Sequence, residues 1–118
     1  MIRYALMFVL LLSCVLPSSV AAQTAPDCPL TLTIGALREC VQHAAEMGHI
    51  TNQGFAESLL AELKTAQTAL DRGQPRVAIA LLRVFVREVK ALSGRLIEPV
   101  HAAHMVEHAQ LVIQALQR

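Results

Sequence analysis

Apolar residues recur at steps of three and four along most of the chain, and this period is that of amphipathic helices. The clearest case is the segment 50–94, where two such stretches flank a short turn containing Gly73 and Pro75. This turn is typical of a helical hairpin, because glycine favours the left-handed position after a helix and proline is tolerated at a helix start. The first helix of the hairpin has an apolar line of Phe55, Leu59, Leu63, Ala66 and Leu70.

The start of this helix also has a recognisable pattern. Thr51 is suited to be its N-cap, and Ile50 and Phe55 then have the spacing of a hydrophobic staple. The second helix of the hairpin is apolar on almost every side, so it must be covered on more than one face.

Two flanking helices are the expected covers. One begins near Thr31 or Thr33 and ends at Gly48, and the other runs from Pro99 almost to Arg118. Their core-facing lines are predicted to be Ile34, Leu37, Val41 and Ala44, and then Ala102, Met105, Ala109, Val112 and Leu116. Short connections favour antiparallel neighbours. The sequence therefore predicts an all-α fold, a small antiparallel bundle of four helices built as two stacked helical hairpins.

The hairpin and its flanks carry core and turn residues in a characteristic order: Gly48, Ile50, Asn52, Gly54, Ser58, Leu59, Ala66, Ala69, Leu70, Gly73, Ala78, Leu82, Phe85, Val89 and Gly94. This series resembles the FIMAH domain, a small helical module, and the resemblance covers roughly Leu37 to Leu116. It implies an accessory module of the kind often found at the end of large secreted bacterial enzymes and surface proteins. It implies no catalytic residues.

The N-terminus has the pattern of a secretory signal peptide over residues 1–22. Arg3 is followed by an apolar run over residues 5–16 and by the small residues Val20-Ala21-Ala22. The apolar run is too short to span a bilayer comfortably. We therefore expect a periplasmic or secreted protein, with lipidation at Cys14 or a retained anchor as the alternatives.

Residues 23–30 are predicted to form a flexible leader, and residues 31–118 to form the FIMAH-like bundle domain. In an oxidising compartment an even pair of cysteines usually forms a disulfide, so we predict a structural bridge between Cys28 and Cys40. A reactive or metal-ligating thiol pair is the alternative, although neither cysteine belongs to a CxxC motif.

Composition disfavours several kinds of partner. Without residues 1–22 the chain has nine basic and nine acidic residues, so its formal net charge is zero and gives no overall electrostatic attraction for nucleic acid or an anionic membrane. Its only aromatic residues are then Phe55 and Phe85, both at core spacing, so stacking platforms for bases or sugars are not expected.

The sequence also gives little support for catalysis. The two serines outside the signal peptide, Ser58 and Ser93, are not in a GxSxG motif, and no glycine-rich phosphate loop is found. Glu57 and Glu62 do not share a helix face, and we expect no paired carboxylates. The chain is therefore predicted not to be an enzyme.

Histidine is the conspicuous polar residue, and His101, His104 and His108 form a row on the last helix. Imidazoles at positions i and i+4 can share a metal ion. His101 and His108 are about 10 Å apart along the axis, so two of the row would bind one ion and a third ligand would come from elsewhere. His43, His49, Glu107 or a second subunit are the candidates for that ligand. The alternatives are a polar flank at least half exposed to solvent, or a pH-responsive interface.

Two further surfaces are candidates for contacts. Arg76, Arg83, Arg87 and Lys90 form a basic edge on the third helix, which is either ordinarily solvated or faces an acidic partner. The surplus apolar residues Val77, Leu81 and Val84 either join the intramolecular core or form a partner or dimer surface.

These observations favour an exported, non-catalytic helical interaction or accessory module. It would act as an adaptor, spacer or stabiliser in the bacterial envelope and bind another envelope or secreted protein, or itself. The alternative is a small periplasmic metal-binding protein that uses the histidine row, with weak binding of a divalent transition metal and no other cofactor.

Overall fold

The computed structural model describes residues 28–118, and this range contains four α-helices. They are α1 (Ile34–Glu46), α2 (Gln53–Asp71), α3 (Pro75–Leu92) and α4 (Pro99–Leu116). Both α1 and α3 pack against α2 and α4, so the four helices form a closed ring. The connections are short and successive helices run in opposite directions. The predicted all-α antiparallel bundle is confirmed. The predicted signal peptide, Cys14 and residues 23–27 of the leader lie outside the described residues.

The core is built from the predicted apolar lines. The residues with the least exposed side chains come from all four helices and include Ile34, Leu37, Val41, Leu59, Leu63, Leu82, Phe85, Val89, Met105, Ala109 and Val112. Phe55, Leu70 and Leu116 are only partly buried and pack at the edge of this core. On α3, Ile79 and Val86 are buried as well. This helix is therefore covered by both α2 and α4, as its apolar character requires.

The start of α2 differs from the prediction. Asn52, not Thr51, is the N-cap, and its side-chain oxygen accepts a hydrogen bond of 2.8 Å from the N–H of Phe55. The staple spacing assigned to Ile50 and Phe55 is wrong for the same reason, since Phe55 is at the third helical position. Thr51 is engaged elsewhere, because its N–H donates to the carbonyl of Leu96 at 2.8 Å. Asparagine is at least as good an N-cap as threonine, so local preference allowed either residue.

The turn between α2 and α3 is as predicted. Gly73 has a φ of 74°, the N–H of Gly73 donates to Leu70, and the N–H of Gln74 donates to Ala69 at 2.9 Å. These bonds form a Schellman motif, which satisfies carbonyls at the end of the helix. Pro75 is the first residue of α3, where its missing N–H has no cost.

The bundle consists of two hairpins, α1 with α2 and α3 with α4, and these are joined where their connectors meet. Ile50, between α1 and α2, forms an isolated antiparallel bridge with Ile97, between α3 and α4, and both side chains are buried. The N–H of Glu98 also donates to the carbonyl of His49 at 2.9 Å. The two connectors therefore lie side by side at one end of the bundle, which brings His49 next to the start of α4.

Candidate functional site

All five histidines of the chain lie on or beside the packing seam between α1 and α4. His43 is on α1, His49 follows α1, and the row His101, His104 and His108 is on α4. The row was expected to be at least half exposed, and this expectation is wrong for each of its members. His108 is fully buried, and His101 and His104 are largely covered. The reason is that α1 and the segment before it pack over this face of α4.

His108 and His104 hold the segment before α1. Nε2 of His108 donates to the carbonyl of Thr31 at 2.6 Å, and Nε2 of His104 donates to the carbonyl of Cys28 at 3.1 Å. Nδ1 of His108 lies 3.6 Å from Sγ of Cys40. The predicted disulfide between Cys28 and Cys40 is confirmed, with the two Cα atoms 5.7 Å apart. We call the segment 28–33 with these contacts the N-terminal clamp.

Burial controls the protonation of His108. Removal from solvent lowers the pKa of His108 below its ordinary value of 6.5, the hydrogen bond to Thr31 opposes this shift, and nearby His104 adds to it. The ring is therefore neutral at neutral pH. A neutral imidazole with its proton on Nε2 satisfies the Thr31 carbonyl, so the role of this ring in the folded chain is that of a buried donor.

His101 belongs to a different group, at the end of the bundle where the connectors meet. Oε2 of Glu98 accepts a hydrogen bond of 2.6 Å from Nδ1 of His49 and lies 3.7 Å from Nδ1 of His101. The rings of His49 and His101 are stacked, with centroids 3.7 Å apart and planes 14° from parallel. Nδ1 of His101 is buried and has no hydrogen-bond partner. Burial first, and then the charge of His49, lower the pKa of His101, while Glu98 opposes this.

Within residues 28–118, two sets of three side chains bring potential metal-ligand atoms within 4.8 Å of one another. One set is Cys28, Cys40 and His104, and the other is His49, Glu98 and His101. The sulfurs of the first set are joined in a disulfide, so they are not thiolate ligands in this state.

The predicted row is thus divided between these sets. His101 and His104 belong to different sets, and His108 to neither. Among the residues considered as a third ligand, His49 joins His101, whereas Glu107 lies by α3. The sequence analysis did not predict Glu98 as a ligand, although its position just after the second connector, close to the histidine row, could have indicated it.

A pair of carboxylates was also missed. Glu62 on α2 interacts with Glu88 on α3, and its Oε2 is buried without a hydrogen-bond partner. Burial and then the neighbouring Glu88 raise the pKa of Glu62 from 4.5 to about 7. The expectation of no paired carboxylates is therefore wrong. From the sequence, Glu62 was considered only together with Glu57 on the same helix, but its partner Glu88 is on the adjacent helix.

A shallow groove runs along the outer surface between α3 and α4. Its central part, of ≈ 440 Å³, is lined by Arg83, Val86 and Arg87 of α3 and by Gln110, Ile113 and Gln114 of α4. Arg83 also lines the depression towards the start of α3, and Gln110 lines the one towards its end. Each outer depression thus shares one lining residue with the central one, and we call the three together the α3/α4 groove.

The predicted basic edge forms one rim of the α3/α4 groove. Arg76, Arg83 and Lys90 are exposed on it, as is Arg87, and none of these four makes an ion pair within the described part of the chain. Glu88, which lies among them in sequence, interacts with Glu62 on α2 instead. It makes no ion pair with the rim in the described part of the chain.

The predicted partner surface on α3 is divided. Val77 is 47% exposed, whereas Leu81 packs at the edge of the core and Val84 is half-buried. Only one member of this set is thus well exposed, and the three residues do not form a broad apolar patch. Whether they contact a partner stays a prediction.

The model of one protein family, the FIMAH domain, matches residues 34–114. The chain belongs to the FIMAH family. The resemblance read from the core and turn residues is thereby confirmed, and it extends from the first residue of α1 into the last turns of α4. No curated protein and no solved structure matches the chain.

The N-terminal clamp lies mostly outside the residues that match the FIMAH domain. Cys28 and Thr31 precede residue 34, while their partners Cys40, His104 and His108 lie within the match. In this chain the FIMAH bundle is therefore extended by a short segment, which a disulfide and two histidines attach to it. No helix among residues 28–118 has the length and hydropathy needed to cross a membrane.

Proposed function

We propose that this FIMAH domain is an exported, non-catalytic interaction module of the bacterial envelope that binds an acidic amphipathic helix of another envelope or secreted protein. The observation that carries the proposal is the α3/α4 groove, an apolar trough with a cationic rim. The signal-peptide pattern of residues 1–22 supports export.

The groove has the chemistry of a helix-binding surface. Its floor is formed by Val86 and Ile113, each 8% exposed, and Arg83 and Arg87 stand on the α3 side. Amphipathic helices dock in such grooves by burying one apolar face, and complementary charge fixes their orientation. Carboxylates on the docked helix would find unpaired guanidinium groups, which bind carboxylates in a bidentate manner.

The length of the rim also suits a helix. From Arg76 to Lys90 the cations extend over about 21 Å at the rise of an α-helix, so a partner helix of about 14 residues matches them. Without residues 1–22 the chain as a whole, the rim included, has equal numbers of basic and acidic residues. Attraction is therefore local to this rim, which favours one docked segment over a polyanion or an extended anionic surface.

A synthetic acidic amphipathic helix tests the chemistry of the groove. Its binding, followed by fluorescence anisotropy, should weaken by about ten-fold or more in Arg83→Glu combined with Arg87→Glu, because two attractive pairs become repulsive. Lys64→Glu combined with Arg72→Glu makes the same charge change on and beside α2 and should leave the affinity unchanged. Equal losses in the two double variants, or equal binding of a scrambled peptide of the same charge, would contradict the proposal.

Crosslinking in the native envelope tests the biological partner. A photoreactive residue at Gln114, in the groove, should capture a protein through an acidic amphipathic segment that mass spectrometry can locate, whereas the same residue at Ser58 on α2 should not. Capture should disappear when Arg83 and Arg87 are reversed in charge. Capture of a second copy of this chain would instead assign the groove to self-association.

Export is tested separately by the N-terminus of the protein isolated from the envelope. Cleavage after Ala22 predicts a chain that begins at Gln23. A diacylglycerol-modified Cys14 at the N-terminus would show a lipoprotein and overturn this part of the proposal. Intact mass and N-terminal sequencing distinguish these results.

A further inference from the structure

Three side chains with metal-ligating atoms converge where the two hairpins meet. His49 comes from the connector between α1 and α2, Glu98 is the N-cap of α4, and His101 is in the first turn of α4. Their ligand atoms lie within 4.8 Å of one another. We call this set the hairpin-junction triad. It lies at the opposite side of α4 from the α3/α4 groove, against α1, and the groove proposal does not use it.

We propose that the hairpin-junction triad binds a divalent transition metal, such as Zn²⁺, through Nδ1 of His49, Nδ1 of His101 and a carboxylate oxygen of Glu98. Two imidazoles and one carboxylate are a ligand set that zinc uses, at about 2.0–2.2 Å from the ion, with a fourth position left for water. Imidazole also suits copper and nickel, whereas magnesium and calcium prefer an all-oxygen shell.

The backbone holds the ligands in place before any ion arrives. The N–H of Glu98 donates to the carbonyl of His49, and the neighbouring Ile50 and Ile97 are paired and buried. The two connectors therefore cannot separate without breaking buried contacts. The backbone of both segments therefore loses little freedom on binding, which favours metal affinity, and the reorganisation is confined to side chains.

The polar atoms of the triad are not all satisfied within the chain. Nδ1 of His101 is buried without a hydrogen-bond partner, although the side chain is 14% exposed. An unpaired buried polar atom is costly. A metal ion shared with Glu98 would satisfy it. In the structure the two rings are stacked, so the ring of His49, which is 30% exposed, has to turn out of the stack for both Nδ1 atoms to face one ion.

The surroundings oppose binding only weakly. His43 and His104 are the other titratable groups whose charge affects His101, and Arg95 lines the adjacent surface depression. Arg95 is exposed, so solvent screens its charge. Because Nδ1 of His49 donates to Glu98, its proton has to move to Nε2 before Nδ1 can bind the ion, and because a protonated imidazole does not bind metal, the affinity should fall as the pH is lowered.

A bound ion would act as a clip between the hairpins. It would join the connector after α1 to the start of α4 and so stabilise the bundle. With free Zn²⁺ at about a hundred times its dissociation constant, the melting temperature should rise by about 10–20 °C for a domain of this size.

The experiment is calorimetric titration of the tag-free, non-reduced protein with Zn²⁺, followed by thermal unfolding with and without the metal. One equivalent should bind. His49→Ala, His101→Ala and Glu98→Gln should each weaken binding by at least about ten-fold and abolish the rise in melting temperature. His43→Ala and His104→Ala are matched controls from the same seam and should retain both effects.

Spectroscopic measurements assign the site independently of stability. In two-dimensional NMR of the imidazole groups, Zn²⁺ should shift the signals of His49 and His101 and remove the mutual ring-current shift of their stack. Circular dichroism without metal should show that the variants are folded. The proposal is overturned by the absence of stoichiometric binding, or by binding that survives both His49→Ala and His101→Ala. It is also overturned by binding that requires a reductant and is lost in Cys28→Ser, which would assign the metal to Cys28, Cys40 and His104.

Discussion

Replacing the buried His108 should change how the stability of the bundle depends on pH. His108 is fully buried, and its pKa lies below the 6.5 of a free histidine. As the pH falls below 6.5, the unfolded chain therefore takes up a proton that the folded chain resists. Stability that is present above pH 6.5 is lost as the pH falls towards the folded-state pKa.

The variant His108→Gln isolates this effect, because its side-chain amide can still donate to the carbonyl of Thr31 but does not titrate. In the acidic range, the free energy of unfolding of the wild type should fall relative to this variant by up to about 1.4 kcal/mol per pH unit. His108→Leu also removes the donor. It should cost about 1 kcal/mol more than His108→Gln near neutral pH, since Thr31 is exposed and water can replace the lost bond.

Urea unfolding followed by circular dichroism, repeated over a range of pH, measures both effects. Val112→Ala is the control, because it removes buried apolar atoms from the same helix without a titrating group. It should lower stability by about 2 kcal/mol at every pH, in parallel with the wild type. Other groups titrate in the same range, but they are common to all the variants and cancel in the differences. If His108→Gln and the wild type lose stability in parallel on acidification, the argument from burial of this histidine is wrong.

Three other substitutions test separate parts of the fold. Cys28→Ser with Cys40→Ser should lower the free energy of unfolding by about 3 kcal/mol, given the separation of 12 residues, while leaving the helical circular dichroism at low temperature intact. An unchanged melting temperature would contradict a structural role for the bridge.

Glu62→Gln should raise stability above pH 7 and leave it unchanged at pH 4, because a pKa raised from 4.5 to about 7 disfavours the folded state as the pH rises through that interval. Solvent screening of this partly exposed group should reduce the gain to about 1 kcal/mol, and an equal gain at both pH values would refute the assignment. Gly73→Ala should cost about 1 kcal/mol because φ is 74° there, whereas Gly35→Ala, inside α1 with open space around it, should not destabilise, and thermal melts compare the two.

Local patterns were sufficient for most of the fold. The apolar period placed Leu59, Phe85 and Met105 in the core, and Gly73 with Pro75 located the turn between α2 and α3. These predictions succeeded because helix periodicity and turn conformation depend on residues close in sequence. The N-cap of α2 was missed by one residue. Both Thr51 and Asn52 are good caps, and the choice was made by the hydrogen bond of Thr51 to Leu96, a contact between distant segments.

The histidines show the limit of such patterns. From the sequence, His101, His104 and His108 formed one row beside the core line of α4, and their exposure could not be read from one helix alone. In the structure, His108 and His104 donate to the N-terminal clamp, while His101 stacks on His49. The three histidines have different partners because different segments of the chain cover successive turns of α4.

The sequence by itself therefore determined the helices, their turns, the cysteine pair and the family resemblance, since each depends on residue type and on near neighbours along the chain. Tertiary structure alone decided the pairing of Glu62 with Glu88, the burial of His108, and the meeting of Glu98 with His49 and His101. In each case the partners lie on different segments, and their contact depends on how the helices are rotated and stacked. That arrangement is set by the packing of the whole core, and a one-dimensional pattern does not contain it.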